Sequence, residues 1–236
     1  MESSKTKTEA ATEEKRIFKE NDFRIEQMKE EYFDELLTLY TEFFAPREPL
    51  GCGLHLKKEE IAKFLSQSAK DWIKCRTSVC AIFVPENKIV GAIFTKILNR
   101  NDQETFNEED ISQFTPGVQT LIKVLCKIES SYNVFEQDSD VNKVLEVAAT
   151  TVDPSFSGNK LVYRMTEECE RIARELGCQV ATTQSTNKIT QHIRKKMGFE
   201  SRLRIEYQDI EVDGVKPLDI SAMNGTTGAN IFVKYL

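Results

Sequence analysis

The sequence lacks the features that build metal sites and membrane segments. It contains two histidines, and its six cysteines include no Cys-x-x-Cys pair, so the spacing typical of a zinc site is absent. No stretch reaches the about 18 consecutive apolar residues of a membrane-spanning helix. The opening segment, MESSKTKTEAATEEKR, has no apolar core of a signal peptide. We therefore expect no metal, and a cytoplasmic protein with reduced thiols.

The chain also lacks the positive charge of a nucleic-acid-binding protein. Its 32 Lys and Arg residues against 38 Asp and Glu residues give a net charge of −6. This balance argues against bulk binding to nucleic acid or to an anionic membrane, although a local basic pocket for a small anion stays possible. A hydrophobic fraction of 40% and 236 residues fit an ordinary folded domain. We predict a disordered charged tail over residues 1–20, a single domain over 21–236, and a monomer.

Hydrophobic periodicity predicts alternating helices and strands. Apolar residues recur at three- and four-residue spacing in the helices, and β-branched apolar runs mark the strands. Helices are predicted at 30–44, 57–73, 116–130, 161–176 and 187–197. Strands are predicted near 23–28, 78–84, 88–98, 144–152, 179–183, 204–212 and 230–236. This order predicts an α/β fold with a mixed sheet.

A turn between a predicted strand and a predicted helix is a candidate anion site. The segment DPSFSGNK leads from strand 144–152 into helix 161–176. The first N–H groups of a helix have no intrahelical acceptor and carry partial positive charge, so they can hold a phosphate. On spacing alone, Gly158 fits a simple turn glycine at least as well.

Five segments, in order, carry a family resemblance. VDPSFSGNKLVYRMTEECERIARELGC resembles the acetyl-CoA-binding motif of the GNAT acetyltransferase superfamily. EFFAPREPLG is similar to the FFxxEPL segment of the insect-type arylalkylamine N-acetyltransferases. The same family resemblance covers YNVFEQDSDVNKVLEVAATTVDP, TNKITQHIRKKMGFE, and IEYQDIEVDG with the terminal FVKYL. Together these segments extend over roughly residues 23–236.

The resemblance implies a GNAT fold, with a mixed, mostly antiparallel sheet flanked by helices, and an activity. Acetyl would pass from acetyl-CoA directly to a small primary amine such as dopamine, tyramine, octopamine or serotonin. Glu48 matches the family's general base, and Thr186 and Thr190 match two serines that take part in catalysis or acetyl-CoA placement. Without the resemblance, Glu48 fits a solvated loop acid, Thr186 a helix N-cap, and Thr190 a packed helix residue.

The resemblance also implies an acetyl-CoA site. A backbone N–H of Thr151 or Val152 would stabilise the negative charge that develops on the acetyl oxygen. The pyrophosphate would lie on the N–H groups of residues 157–162. The complete predicted set for acetyl-CoA is Thr150, Thr151, Val152, Ser157, Gly158, Asn159, Lys160, Leu161 and Val162.

Four positions depart from the family pattern. Ser157 replaces Arg or Gln, Lys160 replaces Gly, Val162 replaces Gly or Ala, and Arg47 stands where Asp is frequent. Lys160 adds bulk but also a cation that could pair with the pyrophosphate. These departures leave alternatives open: a polyamine or diamine substrate, a longer-chain acyl-CoA donor, a protein amine substrate, or a degenerate CoA-binding protein without turnover.

Overall fold

A computed structural model describes residues 18–101 and 111–236. Residues 1–17 of the predicted tail, and residues 102–110 of a polar loop, lie outside this range. Phe18 packs its ring 5.1 Å from that of Phe156 and 5.4 Å from that of Phe83. The residue therefore joins the packed structure although it lies within the predicted tail, because burial of an aromatic ring is favourable.

One seven-stranded sheet organises the described residues. Its strands are β1 (Phe23–Gln27), β2 (Val79–Phe83), β3 (Lys88–Asn99), β4 (Lys143–Val152), β5 (Val180–Ser185), β6 (Glu200–Glu206) and β7 (Gly228–Tyr235). The strand order is β1-β2-β3-β4-β5-β7-β6. Neighbouring strands are antiparallel except β4 and β5, which are parallel. The predicted mixed α/β sheet is confirmed.

Helices cover both faces of the sheet. They are α1 (Phe33–Leu39), α2 (Pro49–Gly53), α3 (Lys58–Lys74), α4 (Pro116–Glu129), α5 (Val134–Gln137), α6 (Leu161–Glu175) and α7 (Lys188–Lys196). Alternation along β2 shows the two faces: Ala81 packs in the cluster under α6, whereas Cys80 and Ile82 pack in the cluster under α1 and α3. None of the described helices is long and apolar enough to cross a bilayer.

The sheet opens between its two parallel strands. Hydrogen-bonded pairing of β4 with β5 runs from Val144 opposite Val180 to Val147 opposite Thr183, and then stops. Beyond that point β4 stays paired with β3 up to Val152, while β5 stays paired with β7. The strands therefore diverge and leave a gap in the middle of the sheet.

Two local expectations were wrong. The segment after the first helix, read as a loop, contains the short helix α2, because Pro49 occupies its first position, where no N–H is needed. The strand predicted over 204–212 ends at Glu206, since its partner β7 begins opposite at Gly228. The apolar residues that follow, including Tyr207 and Ile210, instead pack in a separate cluster that contains Leu50.

Candidate active site

A cavity of about 510 Å³ occupies the gap between β4 and β5. Its walls come from residues 43–49, from β4 over 147–152, from the turn and first helical residues over 156–163, and from 183–193. All three predicted catalytic residues line this cavity. So do all the predicted acetyl-CoA-binding residues except Asn159.

Glu48 is held by the start of α2. It is the N-cap of that helix, and its Oε2 accepts the backbone N–H of Gly51 at 2.6 Å. A Cβ at Gly51 would collide with Ile61 Cδ1, so glycine allows the helix turn to pack closely there. Glu48 is therefore an ordered side chain that lines the cavity rather than a solvated loop acid.

The environment of Glu48 makes it a stronger base than an exposed glutamate. Burial raises the pKa of its carboxyl group, because removal from water disfavours the charged form. Hydrogen bonds from the backbone of Gly51 and Leu50, and then from the Thr186 side chain, partly oppose that rise in pKa. The residues that match the family's base and the first of its hydroxyl residues thus lie close enough for Thr186 to affect the pKa of Glu48.

Thr186 follows β5 and is anchored from a second direction. The buried Tyr207 donates its hydroxyl to the Thr186 carbonyl oxygen at 2.6 Å. Burial, and next the charge of Glu48, raise the pKa of Tyr207, so it remains a neutral donor. Nothing in the sequence indicated this contact, since periodicity can suggest that a tyrosine is buried but cannot identify the partner of its hydroxyl.

The predicted N-cap role of Thr186 was wrong. Asn187 caps α7 instead, because its side chain accepts the Ile189 N–H at 2.8 Å. Thr186 stands one residue earlier, so its hydroxyl does not cap the helix. Thr190 lies in the first turn of α7 and lines the same cavity.

The backbone of β4 presents only some of its N–H groups to the gap. The Asp153 N–H donates to the Val90 carbonyl of the β3 region at 2.9 Å. Antiparallel alternation then directs the Thr151 N–H toward β3 and the N–H groups of Thr150 and Val152 toward the gap. Of the two oxyanion candidates, only Val152 therefore presents its N–H to the cavity.

Tyr40 secures an irregularity in β4. The register of β3 with β4 shifts between Phe94, opposite Ala149, and Thr95, opposite Val147, so that Ala148 is left without a partner. The Tyr40 hydroxyl lies 3.0 Å from the Ala149 carbonyl oxygen and 3.2 Å from that of Ala92. This fully buried side chain thereby bonds to paired residues of both strands beside the bulge.

The turn before α6 has the geometry of an anion site. It differs from the prediction at Ser157 and from the family motif at Lys160. The Ser157 N–H already donates to the Pro154 carbonyl at 3.0 Å, so the predicted set of N–H groups begins at Gly158. Gly158 has φ = +87° and no atom within 4 Å of where a Cβ would lie. Lys160 also has a positive φ, of 55°, which explains why glycine is usual in the matching family motif.

Arg47 lies at the wall next to this turn. Its Nη2 donates to the Val152 carbonyl at 3.2 Å, and its Nε donates to the Phe43 carbonyl. Burial lowers the pKa of Arg47, and the nearby Asp153 opposes that change. The guanidinium therefore faces the cavity wall, which the sequence left undecided.

No protein-family model matches the chain. Its structure is similar to that of arylalkylamine N-acetyltransferase 2 from Aedes aegypti, with a TM-score of 0.80, 24% identity, and coverage of 91% of this chain and 99% of that chain. It is also similar to a Drosophila melanogaster polyamine N-acetyltransferase that forms N-acetylagmatine. The TM-score is 0.78 and the identity 22%, over 91% of this chain and 100% of that chain. The chain has the GNAT fold.

A more distant GNAT structure is that of Arabidopsis thaliana Naa50 in complex with the bisubstrate analogue CoA-Ac-MVNAL. It matches with a TM-score of 0.53 and 10% identity, over 91% of this chain and 99% of that chain. The fold expectation drawn from the sequence segments is therefore confirmed. The GNAT fold brings together Glu48 and Thr186, which are far apart in the sequence, at the gap between β4 and β5.

Proposed function

We propose that the protein is an acetyl-CoA-dependent N-acetyltransferase that acts on a small arylalkylamine, with Glu48 as the general base. The placement of Glu48 and Thr186 together in the cavity wall, at the gap between β4 and β5, carries this proposal. A primary alkylamine is mostly protonated at neutral pH, since its pKa is close to that of lysine, about 10. Glu48, with its raised pKa, takes up that proton directly or through a water molecule.

Other residues of the cavity wall have complementary tasks. The Val152 N–H donates toward the gap, where it stabilises negative charge on the acetyl oxygen. The hydroxyl of Thr190 relays a proton to the departing sulfur and regains one from the positively charged nitrogen of the tetrahedral intermediate, so it stays neutral. The Gly51 N–H holds the Glu48 carboxylate, and Thr186 favours its ionised form by lowering the pKa of Glu48.

The described residues fit acetyl-CoA, which supplies an activated acetyl thioester. The N–H groups at the start of α6 point outward without intrahelical acceptors, and Gly158 leaves room for close approach of a phosphate. The hydroxyls of Thr151 and Ser185 are buried without hydrogen-bond partners and belong to residues of the cavity wall. Such orphaned groups suit the amides of a pantetheine arm, because buried polar groups otherwise carry a desolvation penalty.

The cavity wall favours an aromatic monoamine over a polyamine. Phe43 and Phe44 line it, and Glu48 is the only carboxylate among its described lining residues. A diamine would bring a second cation with no acid to receive it, whereas an aryl group gains from aromatic contacts. A screen that compares tyramine with putrescine and agmatine tests this preference directly.

Binding of acetyl-CoA is tested by thermal unfolding of the full chain. Ligand at about 100 times Kd stabilises the folded state by roughly 2.7 kcal/mol, which for a domain of this size raises Tm by about 5–10 °C. We expect this rise with acetyl-CoA and none with ATP. No rise at millimolar acetyl-CoA would overturn the proposed function, because the proposed donor would then not bind.

Substitutions at Lys160 separate backbone strain from charge. We expect Lys160→Gly to raise the free energy of unfolding by about 0.5–1 kcal/mol, since glycine adopts a positive φ without steric cost. Its acetyl-CoA affinity should stay close to that of the wild type, because the contacts come mainly from the backbone. Lys160→Glu should weaken acetyl-CoA binding by about tenfold through repulsion of the phosphates. Equal affinities for all three proteins in calorimetric titration would contradict a role for this cation.

Arg47 is expected to disfavour cationic amines. Because its guanidinium lies at the cavity wall, Arg47→Asp should lower KM for tyramine by about three- to tenfold, and Arg47→Gln by less. Steady-state kinetics at fixed acetyl-CoA concentration measures the change. An unchanged KM in both variants would show that the guanidinium does not act on the amine.

A further inference from the structure

Arg194 is a buried cation that the proposed mechanism leaves unused. It lies near the end of α7 and has no exposed surface, whereas the next two residues, Lys195 and Lys196, are exposed. Burial lowers the pKa of Arg194 to about 10, so the guanidinium remains charged at neutral pH. Among the described residues, no carboxylate oxygen lies within 4 Å of it, and its Nε has no hydrogen-bond partner.

The guanidinium bonds to two threonines from two other elements. Its Nη1 lies 2.8 Å from the Oγ1 of Thr166 on α6, and its Nη2 lies 3.2 Å from the Oγ1 of Thr150 on β4. Thr166 in turn donates its hydroxyl to the Val162 carbonyl at 2.7 Å. Arg194 therefore joins α7, β4 and the first turn of α6, and these three elements wall the cavity.

This bridge lies where the sheet has no hydrogen bonds of its own. Pairing of β4 with β5 ends at Val147, and Thr150 lies beyond that point on β4. Arg194 comes from the helix that follows β5, so its bond to Thr150 spans the divergence of the two strands. The distance across the gap is thereby fixed by a side chain instead of a backbone ladder.

No acid pairs with this charge directly. The buried Glu170 acts on it electrostatically but forms its ion pairs with Lys234 and Arg174, and the Phe199 ring lies 5.4 Å from the guanidinium carbon. Thr150, which the guanidinium bonds, and Val162, whose carbonyl accepts from its partner Thr166, both belong to the cavity wall. An anion bound in that cavity would face this positive charge through a single layer of side chains, in surroundings of low dielectric constant.

We infer that Arg194 is a positioning residue for acetyl-CoA, which holds Thr150 and the first turn of α6 in place and sets a positive charge behind them. The inference rests on the proposed acetyl-CoA site. It assigns no direct contact with the ligand, since the guanidinium is fully buried. Arg194 therefore affects the binding of acetyl-CoA and does not affect recognition of the amine.

Two variants of similar length separate charge from packing. Arg194→Lys keeps the charge, and Arg194→Met removes it; Lys195→Met is the matched control on the exposed side of the same helix. We expect Arg194→Met to raise the acetyl-CoA Kd, measured by calorimetry, by about tenfold or more, and Arg194→Lys to recover part of that loss. KM for acetyl-CoA should rise in parallel, while KM for the amine changes less than about twofold. Lys195→Met should match the wild type.

A milder variant keeps the inference testable if Arg194→Met does not fold. Thr166→Val removes one partner of the guanidinium, and Thr166 does not line the cavity, so any effect on the ligand is indirect. We expect a weakening of acetyl-CoA binding by about threefold. A change of Tm with unchanged acetyl-CoA Kd in Arg194→Met, or in Thr166→Val if Arg194→Met does not fold, would overturn the inference. So would equal rises of KM for both substrates. Wild-type protein that fails to bind acetyl-CoA would instead overturn the proposed function.

Discussion

Replacement of Glu48 by glutamine is expected to lower kcat by about 10²- to 10⁴-fold, the usual contribution of a general base. The amide keeps the shape of the side chain and an oxygen that can accept the Gly51 N–H, but it cannot take a proton from the ammonium group of the substrate. KM for acetyl-CoA should change little, since the carboxylate acts on the amine. Initial rates with saturating acetyl-CoA and tyramine measure the effect.

Stability provides the control for this substitution. The pKa of Glu48 is raised in the folded state, so its ionised form opposes folding as pH rises above the pKa of the unfolded chain. At neutral pH, Glu48→Gln should therefore leave Tm unchanged or raise it. Glu42→Gln serves as the matched variant, because Glu42 is an exposed acid paired with Lys58. A kcat within about threefold of the wild type would exclude Glu48 as the base.

The sequence was sufficient to predict the periodic elements and to place Glu48 in the loop that lines the cavity. Regular spacing predicted α3 and α6 because their apolar faces are long and uninterrupted. Glu48 and Thr186 were identified through the matching segments, and the structure places both in the wall of one cavity. Short elements such as α2 were missed, since five residues containing two glycines and a proline give no helical period.

Arg194 and Tyr207 show which contacts local sequence patterns cannot predict. In the sequence, Arg194 begins a run of three cations at a helix end and reads as exposed surface. Its burial depends on where α6 and β4 pack, which is a property of the tertiary structure. Likewise, the Tyr207 hydroxyl bonds the Thr186 carbonyl only because β7 pairs with both β5 and β6 and so brings the ends of those two strands near each other. Tertiary contacts of this kind decide how a base is oriented and how its pKa is set.

Replacement of Thr186 by valine is expected to lower the plateau kcat by about tenfold and to shift the acidic limb of the pH profile upward. The Thr186 hydroxyl donates to the Glu48 carboxylate and lowers the pKa of Glu48; without it, that pKa rises further. Only the carboxylate form accepts a proton, so activity is present above this pKa and is lost as pH falls through it. A higher pKa therefore moves the loss of kcat/KM to higher pH.

The contacts of the neighbouring residues define the controls for this shift. Thr186→Ser keeps the hydroxyl and should retain the wild-type limb. Thr190→Val alters the same cavity, but Thr190 is not among the groups that act on the pKa of Glu48, so it should lower kcat without moving the limb. Tyr207→Phe should give a smaller shift in the same direction as Thr186→Val, because it loosens the Thr186 backbone and leaves its hydroxyl intact. An unmoved limb in Thr186→Val, or an equal shift in Thr190→Val, would show that the hydrogen bond from Thr186 does not set the basicity of Glu48.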